Sequence, residues 1–144
     1  MKKVSDILER KGASVVSIHP DTSVLDALKL MAEKNIGSVI VMQEQEFLGI
    51  MTERDYSRKV ILKGKSSTDT QVAEIMTTGF PTVVPDDSIE HCMELISLHN
   101  IRYLPVFKSN AVIGIISMTD LIKQTILGQE ETISQLKDYL HASM

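Results

Sequence analysis

The strongest constraint on this chain is that it repeats itself. The stretch GIMTERD at 49–55 returns as GIISMTD at 114–120, and one offset of 65 positions lays Gly49 on Gly114, Thr52 on Ser117 and Asp55 on Asp120. The same offset lays Pro20 on Pro85, Asp21 on Asp86, Ser23 on Ser88, Leu30 on Leu95, Asn35 on Asn100, Ile36 on Ile101, Val41 on Val106 and Ile50 on Ile115. No gap is needed between Pro20 and Asp55. The lead-in VSDIL from Val4 matches VAEIM from Val72 only at an offset of 68, which leaves three extra residues in the first copy around 11–13. Repeats this long are small domains.

Length sets how the copies can be stabilised. At 144 residues the chain can bury one ordinary core if the copies share it, whereas halves of about sixty residues are each marginal alone. The formal charge is −4 and no basic run occurs, which argues against a nucleic-acid footprint while leaving local phosphate contacts open. No run of eighteen apolar residues exists to span a membrane, and the start MKKVSDILERKG lacks the apolar stretch of a secretory signal. The single cysteine, Cys92, forms no internal disulfide, in keeping with a reducing cytoplasm.

Hydrophobic periodicity predicts an α/β (α+β) chain in which each copy runs β-α-β-β-α. In the first copy, 15–18 is a short β-branched run stopped by His19-Pro20-Asp21. Val24, Ala27, Leu28 and Met31 then recur at helical spacing. Residues 38–42 and 47–51 flank the polar QEQE as a hairpin, and Thr52 opens the closing helix. The second copy follows with 82–84, the stripe Ile89, Cys92, Met93 and Ile96, a hairpin of 104–107 and 112–116 around KSNA, and a helix opened by Ser117. The expected organisation is repeat one at 4–62, a polar linker at 63–71, repeat two at 72–127 and a tail at 128–144. In that tail Ile133, Leu136 and Leu140 suggest a short amphipathic helix whose apolar face needs a partner, either the repeats or another subunit.

The doubled Gly-x-x-Ser/Thr-x-x-Asp, the strand-Pro-Asp entry into the first helix, and NIRYLPV at 100–106 together resemble the cystathionine β-synthase (CBS) domain, found as tandem pairs called Bateman modules. The resemblance covers Val4 to about Leu127. It implies two pseudo-symmetric repeats packed as one Bateman module, with clefts that commonly take AMP, ADP, ATP, NAD or S-adenosylmethionine. The carboxylates of Asp55 and Asp120 suit such ligands, because a carboxylate accepts two hydrogen bonds from vicinal ribose hydroxyls. The hydroxyls of Thr52 and Ser117 can reach ribose or phosphate, and the helix starts they occupy favour an anion. Gly49 and Gly114 allow close backbone approach. Read locally, the same Ser/Thr-x-x-Asp is also a capping box that stabilises a helix without any ligand, and both readings stay open.

By resemblance, one cleft combines Thr52 and Asp55 with Thr82, Val83, Arg102 and Tyr103. The other combines Ser117 and Asp120 with Ser17, Ile18, Gly37 and Ser38. Main chain near Ser17 and Thr82 would read the adenine edge. Arg102 and Arg54 are expected to hold phosphate, in different clefts, whereas Thr119, opposite Arg54, lacks the charge.

Other chemistry finds little support. Cys92 overlays Ala27 on an apolar stripe and reads as core. His19, His91, His99 and His141 lack metal-ligand spacing, so no metal site is expected. No Walker loop, Rossmann fingerprint or Ser-His-Asp set occurs. The expectation is a non-enzymatic regulatory module, a homodimer that senses nucleotide status through an adenosyl ligand and modulates a partner protein in trans. Two alternatives stand beside it. One is a ligand-free structural or dimerisation module; the other is a nucleotide-modifying enzyme using Glu53 and Asp55.

Overall fold

Helix α2 (Val24–Lys34) forms where the apolar stripe of the first copy predicts it, with Val24, Ala27 and Met31 buried and Leu28 partly so. Its counterpart α5 (Ile89–His99) buries Ile89, Cys92 and Ile96. Ser23 and Ser88 cap the two helices by accepting from the N–H groups of Asp26 and His91. Both helices end on an asparagine in the left-handed region, Asn35 at φ 53° and Asn100 at φ 52°, which accounts for the recurrence of that residue.

The computed structural model describes residues 2–12 and 14–143. Ala13, one of the three extra residues of the first copy, and Met144 of the tail lie outside these. Strands β1 (Ser17–Ile18), β2 (Ser38–Gln43) and β3 (Glu46–Thr52) form a sheet in that order, β1 parallel to β2 and β2 antiparallel to β3. The second copy pairs β4 (Tyr103–Lys108) with β5 (Ala111–Ser117). Its expected first strand is reduced to one parallel bridge, Val83 to Val106, at the register of Ile18 to Val41. The first closing helix starts as α3 (Glu53–Tyr56) and continues through a π-helical turn, Ser57–Ile61. The second, α6 (Met118–Ser143), is one unbroken helix of 26 residues. The polar GQEE at 128–131 therefore lies inside a helix, and the amphipathic tail is its continuation.

The lead-in helices are exchanged between the repeats. The chain divides into one compact unit of 1–13, 81–109 and 113–144, and another of 14–80 with 110–112. Helix α1 (Val4–Lys11) thus belongs with the second repeat, and α4 (Val72–Ile75) with the first. The backbone explains how. Val72 and Ala73 donate to the carbonyls of Thr22 and Pro20, and Val4 and Ser5 donate to those of Asp87 and Pro85. The open N–H of Val24, at the start of α2, is taken by Thr70 O, and that of Ile89 by Lys2 O. The polar stretch expected as a linker is itself knitted to the first repeat, since Leu25 N donates to Ser67 O and Thr70 is buried.

Each lead-in completes a core. Val72 and Ile75 are buried with Val24, Ala27, Met31 and Val41, and Val4, Ile7 and Leu8 with Val83, Cys92, Leu104 and Ile116. Burial of Val72 and Ile75 contributes about 3 to 6 kcal/mol, an upper value because an unfolded chain already covers some apolar surface. Beyond α4, Thr77 bridges the outer edge of β3, exchanging hydrogen bonds of 3.0 and 2.9 Å with Ile50.

The recurrent glycines make room for these lead-ins. A Cβ on Gly49 would stand 2.6 Å from Thr77 O, a carbonyl already held by Ile50 N. A Cβ on Gly114 would meet only Leu8 Cδ2, at 3.2 Å, and that side chain can shift. Gly49→Ala is expected to destabilise the protein by about 1 to 3 kcal/mol, and Gly114→Ala by distinctly less. Chemical denaturation of the two variants checks the order, and equal losses would contradict it.

Candidate functional site

Strand β3 delivers Thr52 to the start of α3, where it adopts an extended conformation and serves as N-cap. Its Oγ1 accepts from Asp55 N at 3.1 Å, and its N–H donates to Asp55 Oδ2 at 2.9 Å, a closed capping box. The Thr52 hydroxyl also donates to Oδ2, at 3.0 Å. Asp55 is only 5% exposed, so its other oxygen must be matched as well. Oδ1 receives Thr77 Oγ1 at 2.7 Å and Lys59 Nζ at 2.9 Å. The lysine, one turn along the helix, also donates to Ile75 O at 2.9 Å and Thr77 Oγ1 at 3.3 Å. The carboxylate, its cation and the lead-in segment are thus tied together.

The second motif is built alike with a different cation. Ser117 N donates to Asp120 Oδ2 at 2.9 Å, and Asp120 N donates to Ser117 Oγ at 3.1 Å. Position 124, the overlay of Lys59, is a buried glutamine. The charge comes instead from α1: Lys11 Nζ stands 2.8 Å from Asp120 Oδ2 and 3.0 Å from Ile115 O. Arg10 beside it donates to Gln124 Oε1 at 3.2 Å and to Asp120 O at 3.4 Å. Burial acts to raise the Asp120 pKa, but the Lys11 hydrogen bond, the Ser117 N–H and the lysine charge outweigh it and hold the group below its ordinary 3.8. The Lys11 ammonium and the Ser117 N–H both stand on Asp120 Oδ2.

Each of the remaining expected residues lies within the unit of its own repeat. Ser38 is buried and faces Thr52 across the β2–β3 ladder, and Gly37 accepts from Glu53 N at 3.1 Å. Gly37 and Glu53 also border a groove of about 240 Å³ lined by Leu28, Met31, Asn35 and Ile36. Ser17 is exposed and Ile18 half-buried on β1, while Arg54 is half-buried on α3. In the other unit Arg102 is exposed and accepts from Met118 N through its carbonyl, which sets it at the start of α6 next to exposed Thr119 and half-buried Tyr103. Val83 is core, and its N–H and carbonyl both serve the ladder with Pro105 and Phe107. Thr82 beside it is exposed.

Sequence reasoning missed Lys11, Lys59 and Thr77. The i,i+4 spacing of Asp55 and Lys59 was a readable signal; the Lys11 contact required knowing that α1 joins the second repeat. Burial pushes the Cys92 thiol up to about 11, with the Asp87 charge adding to it, as suits a core residue. Among the described residues no cluster of His, Cys, Asp or Glu could hold a metal ion, and no helix is long and apolar enough to cross a membrane.

Paired β-α-β-β-α repeats, each closing on a capped helix that carries a cation-matched carboxylate, define a tandem α/β module. The chain belongs to the CBS domain family, whose pattern it matches twice, at 4–61 and 72–126. It is 34% identical to the CBS domain-containing protein CBSX3, mitochondrial, of Arabidopsis thaliana, over 95% of this chain and 71% of that one. Its fold matches a putative signal-transduction protein with CBS domains from Burkholderia ambifaria at TM-score 0.85 and 43% identity, covering 88% of this chain and 96% of that one. It also matches the CBS domain pair of protein MJ0100, solved in complex with 5′-methylthioadenosine and S-adenosyl-L-methionine, at TM-score 0.76 and 26% identity, over 85% and 98% of the two chains.

The lowered Asp120 pKa carries a sign. A carboxylate depressed in the folded state stabilises it above the unfolded pKa, and that contribution fades as pH falls through the folded value. Lys11→Met is therefore expected to cost about 1 kcal/mol near neutral pH, with the difference from the parent shrinking below about pH 4. Denaturant titrations of both proteins at several pH values check this; a gap independent of pH would contradict it.

Proposed function

We propose that this chain is a non-enzymatic regulatory module that binds an adenosyl compound and thereby alters its contact with a partner protein in trans. The observation that carries the reading is the asymmetry of the carboxylates. Asp55 has donors on both oxygens, from Thr52, Thr77 and Lys59, whereas at Asp120 the lysine and the backbone N–H share Oδ2. Asp120 can accept ribose hydroxyls on Oδ1 without giving up its own helix cap. Asp55 can do so only by displacing Thr77 or Lys59, so the Asp120 site fills first. The similarity to a CBS pair solved with two adenosyl compounds favours the same ligand class: AMP, ADP, ATP, NAD or S-adenosylmethionine. Arg102 and Arg54 supply positive charge for a phosphate-bearing ligand.

In this reading nothing is catalysed. Glu53 and Asp55 adjoin in sequence, but Asp55 is buried and matched, which suits neither a base nor a nucleophile. Ligand shifts the partner contact only through its differential affinity for two conformations.

A second reading, a structural module without ligand, is favoured by the closed capping boxes of both motifs. Thermal-shift and calorimetric titrations with AMP, ATP and S-adenosylmethionine separate the two, since a bound ligand stabilises by mass action. The expected result is binding by at least one compound, weakened about ten- to hundredfold by Asp120→Ala. No shift with any of them, or unchanged affinity in both Asp120→Ala and Asp55→Ala, would favour the structural role.

A further inference from the structure

Beyond Gln124 and half-buried Leu127, helix α6 leaves its unit: residues 129–138 are exposed on every side. A stretch this short is marginal in water unless its apolar face finds a partner. That face is continuous. Ile122, Ile126, Ile133, Leu136 and Leu140 are 48%, 48%, 52%, 58% and 60% exposed. They recur at alternating steps of four and three residues once Gln129 is included, which is the a/d seam of a coiled coil over about three heptads. Ile126, Ile133 and Leu140 take a; Ile122, Gln129 and Leu136 take d.

We propose that the occupant of this seam is a second copy of the same helix, lying parallel and in register. Two features of the seam select it. Gln129 is its polar residue, and only a parallel, in-register copy sets it against another Gln129, where the amides can hydrogen-bond; the fully overlapped antiparallel copy sets it against Ile133. A lone polar core residue is a known register device. The flanks agree. Position e carries Lys123, Glu130 and Lys137, while position g carries Thr125 and Thr132, whose hydroxyls donate back to Leu121 O and Gly128 O. Parallel helices bring e against g, so no like charges meet. The fully overlapped antiparallel pair brings e against e, which opposes Lys123 to Lys137 and Glu130 to itself.

The test uses the full chain without nucleotide, so its outcome is separate from that of the ligand reading. Sedimentation equilibrium is expected to give a dimer of the 16.0 kDa chain at micromolar concentration. The double variant Ile133→Glu with Leu136→Glu is expected to raise the dissociation constant more than about a hundredfold without altering thermal unfolding of the monomer. Gln129→Cys, mildly oxidised, is expected to cross-link into a covalent dimer, since parallel pairing alone sets position 129 against itself. A monomeric parent chain, a dimer indifferent to the double variant, or a seam-dependent dimer that fails to cross-link would each overturn the proposal.

Discussion

A carboxylate withdrawn from water at the first turn of a helix must be met by donors, and that requirement organises both halves of this protein. The helix supplies some of them, because its opening N–H groups have no partner within the helix. The residual charge is met by a lysine in each case, and each lysine also binds a backbone carbonyl. Lys59 reaches Ile75 O at the end of α4, and Lys11 reaches Ile115 O in β5. Both networks thus fasten a lead-in helix to the sheet beside it, and Asp55 and Asp120 hold structure together whatever else they bind.

Duplicated sequence has not produced duplicated electrostatics. Lys59 projects from the closing helix itself, and its overlay, Gln124, is an uncharged residue that accepts from Arg10. In the second unit the cation arrives from α1, so opposite ends of the chain meet at Asp120. The consequence is two carboxylates of one motif with different accessibility and differently placed donors. A ligand selected for one would not find the same surroundings at the other.

Much of this could be read from the residues. The apolar runs of the two hairpins, the helical stripes and the Asn35/Asn100 recurrence all follow from local rules, and the structure places those elements within a residue or two of expectation. The carboxylates and their capping hydroxyls were visible for the same reason: three-residue spacing at a helix start is local. What escaped was non-local. Nothing in VSDIL or VAEIM says which sheet it will cover, so the exchange of α1 and α4, and with it the Lys11–Asp120 pair, lay beyond periodicity. Thr77 was hidden likewise, since its role depends on bridging an edge from outside the repeat. The GQEE stretch read as a break because polar residues suggest a loop, yet a projecting helix has no core and can be polar without ending.

The crossing of the lead-ins changes what counts as half of this protein. Excising 4–62, the span that sequence similarity delineates, would keep α1, which covers the other sheet, and discard α4, which covers this one. The piece that retains its own cover is the run from Ser14 to Phe80, which with 110–112 makes up the unit. Kinship and mechanical integrity therefore draw the boundary in different places, and a fragment or fusion designed on the first would expose the apolar edge that the second conceals.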